Sequence, residues 1–295
     1  MSDSPPCLVC CASSSYWTTI ASYRHFRCPD CGLVFVMPRP SHDEIEKVYA
    51  GGDFYDKAET ERVRLEREAR QRVTLLDSLA DRFSLEKRVL DIGSASGVFL
   101  SAAEKREWTV RGLERSEALG RRCPQFEKGR ITFGILEDVQ IPGSPFPIVT
   151  AWEVLEHSIE PIRFFEAAVR HVQPGGLLAI STPLPDGIPA RLLGAKFPMF
   201  CPPEHLTLFT RRSLAGLARK FSLSEIDYRS FSNLGIRSLG SGLSRILFRT
   251  ELAALPAPAR IIALAAGTAL AWAPALVDAA GLGSEMQMVF RRERA

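Results

Sequence analysis

The sequence has no strong excess of charge of either sign. Its 295 residues include 37 basic and 34 acidic side chains, which leaves a formal net charge of +3. A nucleic-acid-binding protein normally concentrates basic residues on one face, so this balance argues against a nucleic-acid partner. The opening residues, MSDSPPCLVC, also contain no basic stretch followed by an apolar one. A secretory signal is therefore not expected, and the sequence predicts a cytoplasmic protein.

Long uncharged runs are scarce as well. The exception is residues 261–277 (IIALAAGTALAWAPALV), which reach the lower length limit of about 17 residues for a membrane span. Gly267, Thr268, Pro274 and the many weakly apolar alanines disfavour a span. We therefore expect residues 252–283 to be an apolar helical segment buried in the protein, with peripheral membrane contact through 261–277 as the alternative.

Cysteine is infrequent, but its placement is informative. Four of the seven cysteines form two C-x-x-C pairs, Cys7 with Cys10 and Cys28 with Cys31. Without a secretory signal, this pattern indicates metal ligation rather than a disulfide framework. Four thiolates in two knuckles match tetrahedral Zn²⁺, so residues 1–40 are predicted to form a zinc-ribbon-like module around a structural zinc ion. Cys11 is an alternative to Cys10 as a ligand.

The rest of the chain divides into two parts. Residues 41–82 are predicted to be a helical connector, because apolar residues recur at helical spacing between positions 65 and 79. From residue 83 to 295, short apolar runs alternate with helical segments. This alternation predicts an α/β domain with a doubly wound parallel sheet and helices on both faces. The long connection at 183–210, rich in proline, glycine and aromatic residues, is predicted to cover a substrate.

One turn in this domain carries the clearest chemical signal. In V-L-D-I-G-S-A-S-G-V-F-L (89–100), a buried strand ends at Asp91, while Gly93 and Gly97 permit a tight turn into the next helix. Such a turn presents backbone N–H groups and the positive end of a helix dipole to a ligand. Glu114 closes the next strand, 23 residues after Asp91. An acid there can accept both ribose hydroxyls, so turn and acid together indicate a nucleoside-bearing ligand.

The glycine spacing distinguishes between nucleoside ligands. Dinucleotide-binding folds use G-x-G-x-x-G, whereas this turn reads D-x-G-x-x-x-G. Asp91 at the tip of the strand would repel a pyrophosphate, but it suits the amino group of a methionine moiety. A nicotinamide-dependent oxidoreductase is therefore disfavoured.

In its ordered motifs the chain resembles the class I S-adenosylmethionine-dependent methyltransferases. Beyond the turn at 89–100, the segments that carry the resemblance are ITFGILEDV, IVTAWEVLEH, HVQPGGLLAISTP and CPPEHLTLFTRRSL. The resemblance implies a Rossmann-like, doubly wound sheet of seven strands with S-adenosylmethionine as cofactor. It also implies a set of cofactor contacts from Asp91, Gly93, Ser94, Gly97 and Glu114.

The chain departs from the family after the third strand. An aspartate often stands there to hold the adenine amino group, and here the place is shared by Ile135, Leu136 and Glu137. We carry the role over to Glu137.

The CPPEHLTLFTRRSL segment resembles one subgroup, in which a Cys-rich module precedes the methylase domain. That subgroup includes polyprenyl-benzoquinol-type methylases and sugar or natural-product methyltransferases. The resemblance implies methyl transfer to a hydroxyl or activated carbon of a small-molecule acceptor, such as a sugar nucleotide, a quinol or a natural-product intermediate. A catalytically inactive adaptor that binds zinc and a nucleoside is the alternative, and the intact turn at 89–100 argues against it.

Two histidines compete for the role of general base in such a transfer. His205 follows the predicted cover segment, and Glu204 beside it could orient its ring. His157 follows the fourth strand, at the carboxyl edge of the sheet where ligands of such folds bind. We expect His205 to be the base and His157 to be the second candidate.

Overall fold

The computed structural model describes residues 4–50, 62–232, 255–262 and 273–294. Its strands are β1 (Ser15–Ile20), β2 (Tyr23–Arg27), β3 (Val34–Val36), β4 (Arg88–Ile92), β5 (Thr109–Glu114), β6 (Ile131–Phe133), β7 (Phe146–Trp152), β8 (Val172–Pro183), β9 (Thr207–Leu208), β10 (Leu223–Phe231) and β11 (Glu285–Arg292). Its α-helices with assigned bounds are α1 (His42–Ala50), α2 (Arg62–Phe83), α3 (Val98–Glu104), α4 (Glu117–Gly120), α5 (Pro161–Arg170), α6 (Ile188–Leu193), α7 (Arg211–Lys220) and α8 (Ala273–Ala279).

The larger sheet confirms the predicted fold class. It contains seven strands in the order β10-β11-β8-β7-β4-β5-β6. The five strands from β8 to β6 run parallel, whereas β11 pairs antiparallel with both β8 and β10. The strand order reverses direction at β4, which places the turn after β4 at the switch point where ligands of open α/β sheets bind.

Successive residues of the central strands supply two separate cores, because neighbouring side chains of a strand point to opposite faces. Val89 packs in a core with apolar residues of α2 and α3. Leu90, the next residue, packs in a second core with residues of α5 and α7. The sheet is therefore covered on both faces, as the alternating sequence pattern predicts.

A smaller antiparallel sheet joins the N-terminal residues to the larger unit. Its strand order is β1-β2-β3-β9, and β9 belongs to the 183–210 connection rather than to the N-terminal residues. Val34 pairs with Leu208 and Phe35 pairs with Thr207. This strand addition ties residues 15–36 to the stretch that directly follows His205.

The 183–210 segment, which is predicted to cover a substrate, packs on the N-terminal sheet. Phe197 and Phe200 form a cluster with Val34 of β3, and Trp17 of β1 packs against them. The ring centroids of Trp17 and Phe200 are 4.7 Å apart. Leu192 of the same segment is exposed. No residue of this segment lines the large cavity described below, and its role as a cover stays a prediction.

The predicted apolar segment at 252–283 lies partly outside the described residues. Among its described residues, Ile261, Ile262 and Leu276 are 60–65% exposed, whereas Leu255 is buried. Within the described parts of the chain, no helix is both long and apolar enough to cross a membrane.

Candidate functional site

The turn after β4 is shaped by two glycines. Gly93 and Gly97 have φ values of +73° and +77°, in the left-handed region that favours glycine. A Cβ atom on Gly93 would lie 2.6 Å from Cγ2 of Val154, and one on Gly97 would collide with the thiol of Cys123. The amides of Gly93 and Ser94 both donate to the carbonyl of Leu113, at 2.8 and 3.0 Å. The turn is thereby held against the end of β5, beside Glu114.

The Glu114 carboxylate links the two strand ends. Its Oε2 accepts a hydrogen bond from the Ala95 amide at 2.7 Å, and its Oε1 accepts one from the Ser116 amide at 2.8 Å. A carboxylate offers about four lone-pair sites, so each oxygen retains capacity for a further donor. Burial raises the pKa of Glu114, and the backbone hydrogen bonds oppose that rise. Two adjacent, fixed oxygens at a cavity wall suit a pair of vicinal hydroxyls.

Asp91 is buried beneath the same turn. Its Oδ1 accepts a hydrogen bond from the Thr150 hydroxyl at 2.6 Å, because Thr150 lies opposite Asp91 in the parallel β4–β7 pair. Burial raises the pKa of Asp91 to about 7, against the opposing effects of Thr150 and the charge of Arg72. The nearby Ser94 hydroxyl is buried without a hydrogen-bond partner among the described residues. An acid and a hydroxyl in this state suit a polar, cationic ligand group.

A cavity of about 960 Å³ opens beside Gly93 and Glu114, whereas Asp91, Ser94 and Gly97 lie behind its wall and are not among its lining residues. Its volume is near the upper end of the range for small-molecule sites, about 300–1,000 Å³. One part is lined by Gly93, Glu114 and Glu137. The other part is lined by side chains from β7, α1 and the start of α5, namely His42, Trp152, Glu153, His157, Glu160 and Arg163. The cavity therefore has room for a nucleoside-bearing ligand and a second small molecule.

The two candidate histidines lie together. Their ring centroids are 4.8 Å apart in an edge-to-face arrangement. Nδ1 of His157 donates to the carbonyl of Glu204 at 2.8 Å, and Nδ1 of His205 donates to the carbonyl of Met199 at 2.8 Å. Because a carbonyl only accepts, both rings carry the Nδ1 proton, and the lone pair of each neutral ring is at Nε2. His157 lines the cavity, whereas His205 is not among its lining residues.

The backbone of Glu204 contributes to the histidine pair. Its carbonyl accepts the hydrogen bond from Nδ1 of His157 and so orients that ring. The predicted contact of the Glu204 carboxylate with His205 stays a prediction.

The groups around the histidines are strongly desolvated. Burial, together with the charge of His205, lowers the pKa of His157 to about 3. Glu156 is fully buried, and neither of its carboxylate oxygens has a hydrogen-bond partner among the described residues. Burial and the charge of Glu153 raise the pKa of Glu156 well above its usual value. At neutral pH we therefore take Glu156 to be a neutral acid and His157 to be a neutral ring.

The four predicted zinc ligands form a cluster. Sγ of Cys7 lies 3.5 Å from that of Cys31, and Sγ of Cys10 lies 3.4 Å from that of Cys28 and 3.7 Å from that of Cys31. Zn–S bonds of about 2.3 Å in a tetrahedron place the sulfurs about 3.8 Å apart, so the donor set fits Zn²⁺. The thiolates would also accept backbone N–H groups, since the Val9 amide lies 3.4 Å from Sγ of Cys7.

The two C-x-x-C knuckles share one backbone pattern, in which Cys10 and Cys11 occupy different positions. Cys11 and Gly32 each follow the second cysteine of a pair, with φ values of +64° and +75°. Their amides donate to the carbonyls of Cys7 and Cys28, both at 3.0 Å. Cys11 thus occupies the turn position that Gly32 occupies in the second knuckle, and its exposed thiol lies outside the cluster.

Comparisons with known proteins identify the family of the chain. A family model described as "Methyltransferase domain" matches residues 63–225, which is more than half of the chain. This chain belongs to that methyltransferase family. The match contains the turn after β4, Glu114 and both histidines, whereas the cysteine cluster lies outside it.

Curated relatives of this methyltransferase are named ubiquinone biosynthesis O-methyltransferase. The one from Pseudomonas aeruginosa (strain LESB58) is 36% identical over 104 residues, which cover 32% of this chain and 44% of the relative. The one from Pseudomonas entomophila (strain L48) is 33% identical over 155 residues, covering 50% of this chain and 65% of the relative. The chain thus matches less than half the length of the first of these relatives.

Solved structures share the fold at low sequence identity. A SAM-dependent methyltransferase from Thermotoga maritima superposes with a TM-score of 0.52 at 15% identity, covering 81% of this chain and 96% of the other. Magnesium protoporphyrin IX methyltransferase from Synechocystis PCC 6803 gives a TM-score of 0.50 at 13% identity, covering 79% of this chain and 85% of the other.

Several residues of this methyltransferase site were not singled out from the sequence. Thr150 contacts Asp91 through strand register, and Glu153 and His42 line the cavity. His42 begins α1, far from any recognisable motif, so no sequence signal marked it. For Thr150, the pairing of the first and fourth predicted strands was the signal that could have found it.

Proposed function

We propose that this methyltransferase transfers a methyl group from S-adenosylmethionine to a hydroxyl or activated carbon of a small molecule. The observation that carries the proposal is the Glu114 carboxylate, held by two backbone amides at the wall of a cavity that also contains His157. The O-methyltransferase names of the Pseudomonas relatives support a hydroxyl acceptor, with a sugar nucleotide, quinol or natural-product intermediate as the class.

The chain's own residues account for each part of the cofactor. Glu114 would accept the two ribose hydroxyls, Asp91 would pair with the amino group of the methionine moiety, and Glu137 would face the adenine amino group. The turn residues Gly93, Ser94 and Gly97 would allow close approach of the ligand to the backbone. When bound, the cofactor supplies an electrophilic methyl carbon on a sulfonium ion.

The acceptor proton requires a base, and the histidine pair supports one. His157 lines the cavity, and because its Nδ1 donates to Glu204, Nε2 is the nitrogen that would take the proton from an acceptor hydroxyl. His205 packs edge-on against it and was the candidate favoured by sequence. We assign the direct contact to His157, because reach to the acceptor is the first requirement for a general base. Alignment of acceptor and methyl group contributes the remaining rate enhancement.

The cysteine cluster would hold a structural zinc ion. All four coordination positions would be filled by Cys7, Cys10, Cys28 and Cys31, so no position is left for a substrate. Its contribution is to the fold of the N-terminal residues and, through β3 and β9, to the segment after His205.

Glu114→Ala should weaken S-adenosylmethionine binding by about 1.5–3 kcal/mol, because charge-assisted hydrogen bonds to the ribose are lost. Calorimetry on the purified protein measures this directly. Glu166→Gln is the matched control, since Glu166 is an exposed acid on α5 that pairs only at the surface with Arg170. Equal affinities of the Glu114 variant and the wild type would remove Glu114 from the cofactor site.

Binding of S-adenosylmethionine should also depend on pH through Asp91. With its pKa raised to about 7, this acid is partly protonated below neutrality and must lose its proton to pair with an ammonium group. Affinity should therefore rise between about pH 5.5 and 7, where the ligand's own amino group (pKa about 7.7–8.0) stays charged. Calorimetry in buffers of different ionisation enthalpy should detect proton release.

Asp91→Asn should bind more weakly and should lose the pH slope. An affinity of the wild type that does not change over this pH range would contradict the assigned role of Asp91. Binding of the cofactor without turnover on any acceptor would instead point to the inactive adaptor.

A further inference from the structure

Arg39 lies between the segment that follows His157 and the segment that follows His205. It follows β3 in the Met37-Pro38-Arg39-Pro40 linker, outside the residues that match the family model. Its guanidinium group donates four hydrogen bonds. Two go to the segment after His157, from Nε to the Ile159 carbonyl at 2.9 Å and from Nη2 to the Ser158 carbonyl at 2.9 Å. Two go to the segment after His205, from Nη1 to the Leu206 carbonyl at 2.7 Å and from Nη2 to the Thr207 hydroxyl at 2.8 Å.

The partners of Arg39 are arranged in the same way around each histidine. Ser158 and Ile159 are the first and second residues after His157, and Leu206 and Thr207 are the first and second residues after His205. The guanidinium group is planar and presents its donors in a fixed fork. Satisfying all four acceptors therefore fixes the distance between the two segments as well as their orientation.

Backbone hydrogen bonds also join the segments that Arg39 holds in place. The Leu206 amide donates to the carbonyl of Glu156 at 2.8 Å, and the Val36 amide donates to the carbonyl of Leu206 at 3.0 Å. The Leu206 carbonyl thus accepts from both β3 and Arg39. The guanidinium group completes a junction of three segments, at which the relative position of His157 and His205 is set.

The electrostatics of Arg39 favour a geometric role over a stabilising ion pair. Burial lowers the pKa of Arg39 to about 10, so the side chain is still charged at neutral pH. In the described part of the chain, its charge is compensated by carbonyl and hydroxyl dipoles rather than by a carboxylate. Burying a cation without a paired anion costs free energy, and ordered hydrogen bonds offset only part of that cost.

We infer that Arg39 is a positioning residue for the histidine pair, which holds the His157 and His205 segments in the register that proton removal from the acceptor requires. The inference rests on the proposed function for its effect on turnover, but not for its effect on the two rings. Arg39 does not line the cavity itself, although its acceptors Ser158 and Ile159 do. Because Arg39 holds these two residues by their backbone carbonyls, it should act through the position of the segments and not by contact with the ligands.

The test compares Arg39→Met and Arg39→Lys with Arg88→Met as a matched control. Arg88 donates to the carbonyls of Gly143 and Pro145, at 2.7 and 3.1 Å, near the start of β4 and away from the histidines. Arg39→Met should lower kcat by about 10- to 100-fold, since a displacement of about 1 Å at a reacting group has effects of this size. Cofactor Kd and acceptor KM should stay within about twofold. Arg39→Lys keeps the charge but not the fork, so it should recover only part of the rate.

A second measurement reports on the imidazole rings of His157 and His205 without a turnover assay. The imidazole NMR signals of His157 and His205 should change shift in both Arg39 variants, while that of His171 stays in place. In Arg88→Met the signals of His157 and His205 should match the wild type; His171 is no reference there, because it contacts Ser144 between the two acceptors of Arg88. Unchanged His157 and His205 signals in the Arg39 variants, or a kcat equal to that of the wild type, would overturn the inference.

The two measurements keep the inference separate from the proposed function. If the wild type methylates no acceptor, the proposed function fails and the NMR comparison still decides the role of Arg39. If the wild type is active and the Arg39 variants lose rate while all histidine signals move together, the effect is a general loss of structure and the inference is wrong.

Discussion

Cys28→Ser should abolish zinc binding and lower methyl transfer at least about 100-fold, while S-adenosylmethionine affinity changes by no more than about threefold. A serine hydroxyl is a poor zinc ligand, and a module this small depends on its metal to fold. The Cys31 carbonyl accepts the Thr210 hydroxyl at 2.6 Å, and β3 pairs with β9 directly after His205. Loss of the knuckles should therefore displace the His205 segment, whereas the turn after β4 is held by the Leu113 carbonyl and the Glu114 carboxylate of β5.

Elemental analysis, calorimetry and a turnover assay on the same preparation measure the three quantities. Cys11→Ser is the matched control, because Cys11 adjoins a ligand but its thiol lies outside the cluster. That variant should keep one zinc per chain and full turnover. A Cys28 variant that loses its zinc but transfers methyl groups at the wild-type rate would show that the module does not support the site.

The position of the turn after β4 beside Glu114 was predictable because its determinants are local. Gly93 and Gly97 encode the turn, and Asp91 and Glu114 stand at the ends of strands that hydrophobic patterning alone identifies. The carboxyl ends of neighbouring parallel strands meet at one edge, so local assignments were sufficient to bring these side chains together.

The position of the histidine pair depends on contacts between distant segments, and the sequence does not encode these as a pattern. Strand β9 contains only two residues, too few to show a period of alternation, yet it connects the N-terminal sheet to the His205 segment. Arg39 reaches residues about 120 and 167 positions away through side-chain bonds to backbone carbonyls. Carbonyl acceptors exist at every residue, so no residue type marks the partners of such an arginine.

His157→Ala should lower kcat by about 10²-fold with unchanged cofactor affinity, at the lower end for a positioned general base, because a ring with its pKa lowered to about 3 is a weak base. His205→Ala should cost less, since that ring supports His157 and does not line the cavity. The pH profile adds an independent criterion. A base must be unprotonated to act, so kcat falls as pH drops through its pKa, and the pKa of His157 is lowered to about 3. At saturating S-adenosylmethionine, kcat should therefore show no acidic limb between about pH 5.5 and 7.5.

Saturating cofactor matters in this experiment, because the titration of Asp91 affects binding in the same pH range. His171→Ala is the control, since His171 precedes β8 at the opposite edge of the sheet, where Nδ1 contacts the Ser144 hydroxyl at 2.8 Å. A larger loss in His205→Ala than in His157→Ala, together with an acidic limb near the ordinary histidine pKa of about 6.5, would transfer the base assignment to His205. Full rates in both variants would mean that the acceptor reaches the site already ionised, and the protein would then act by alignment alone.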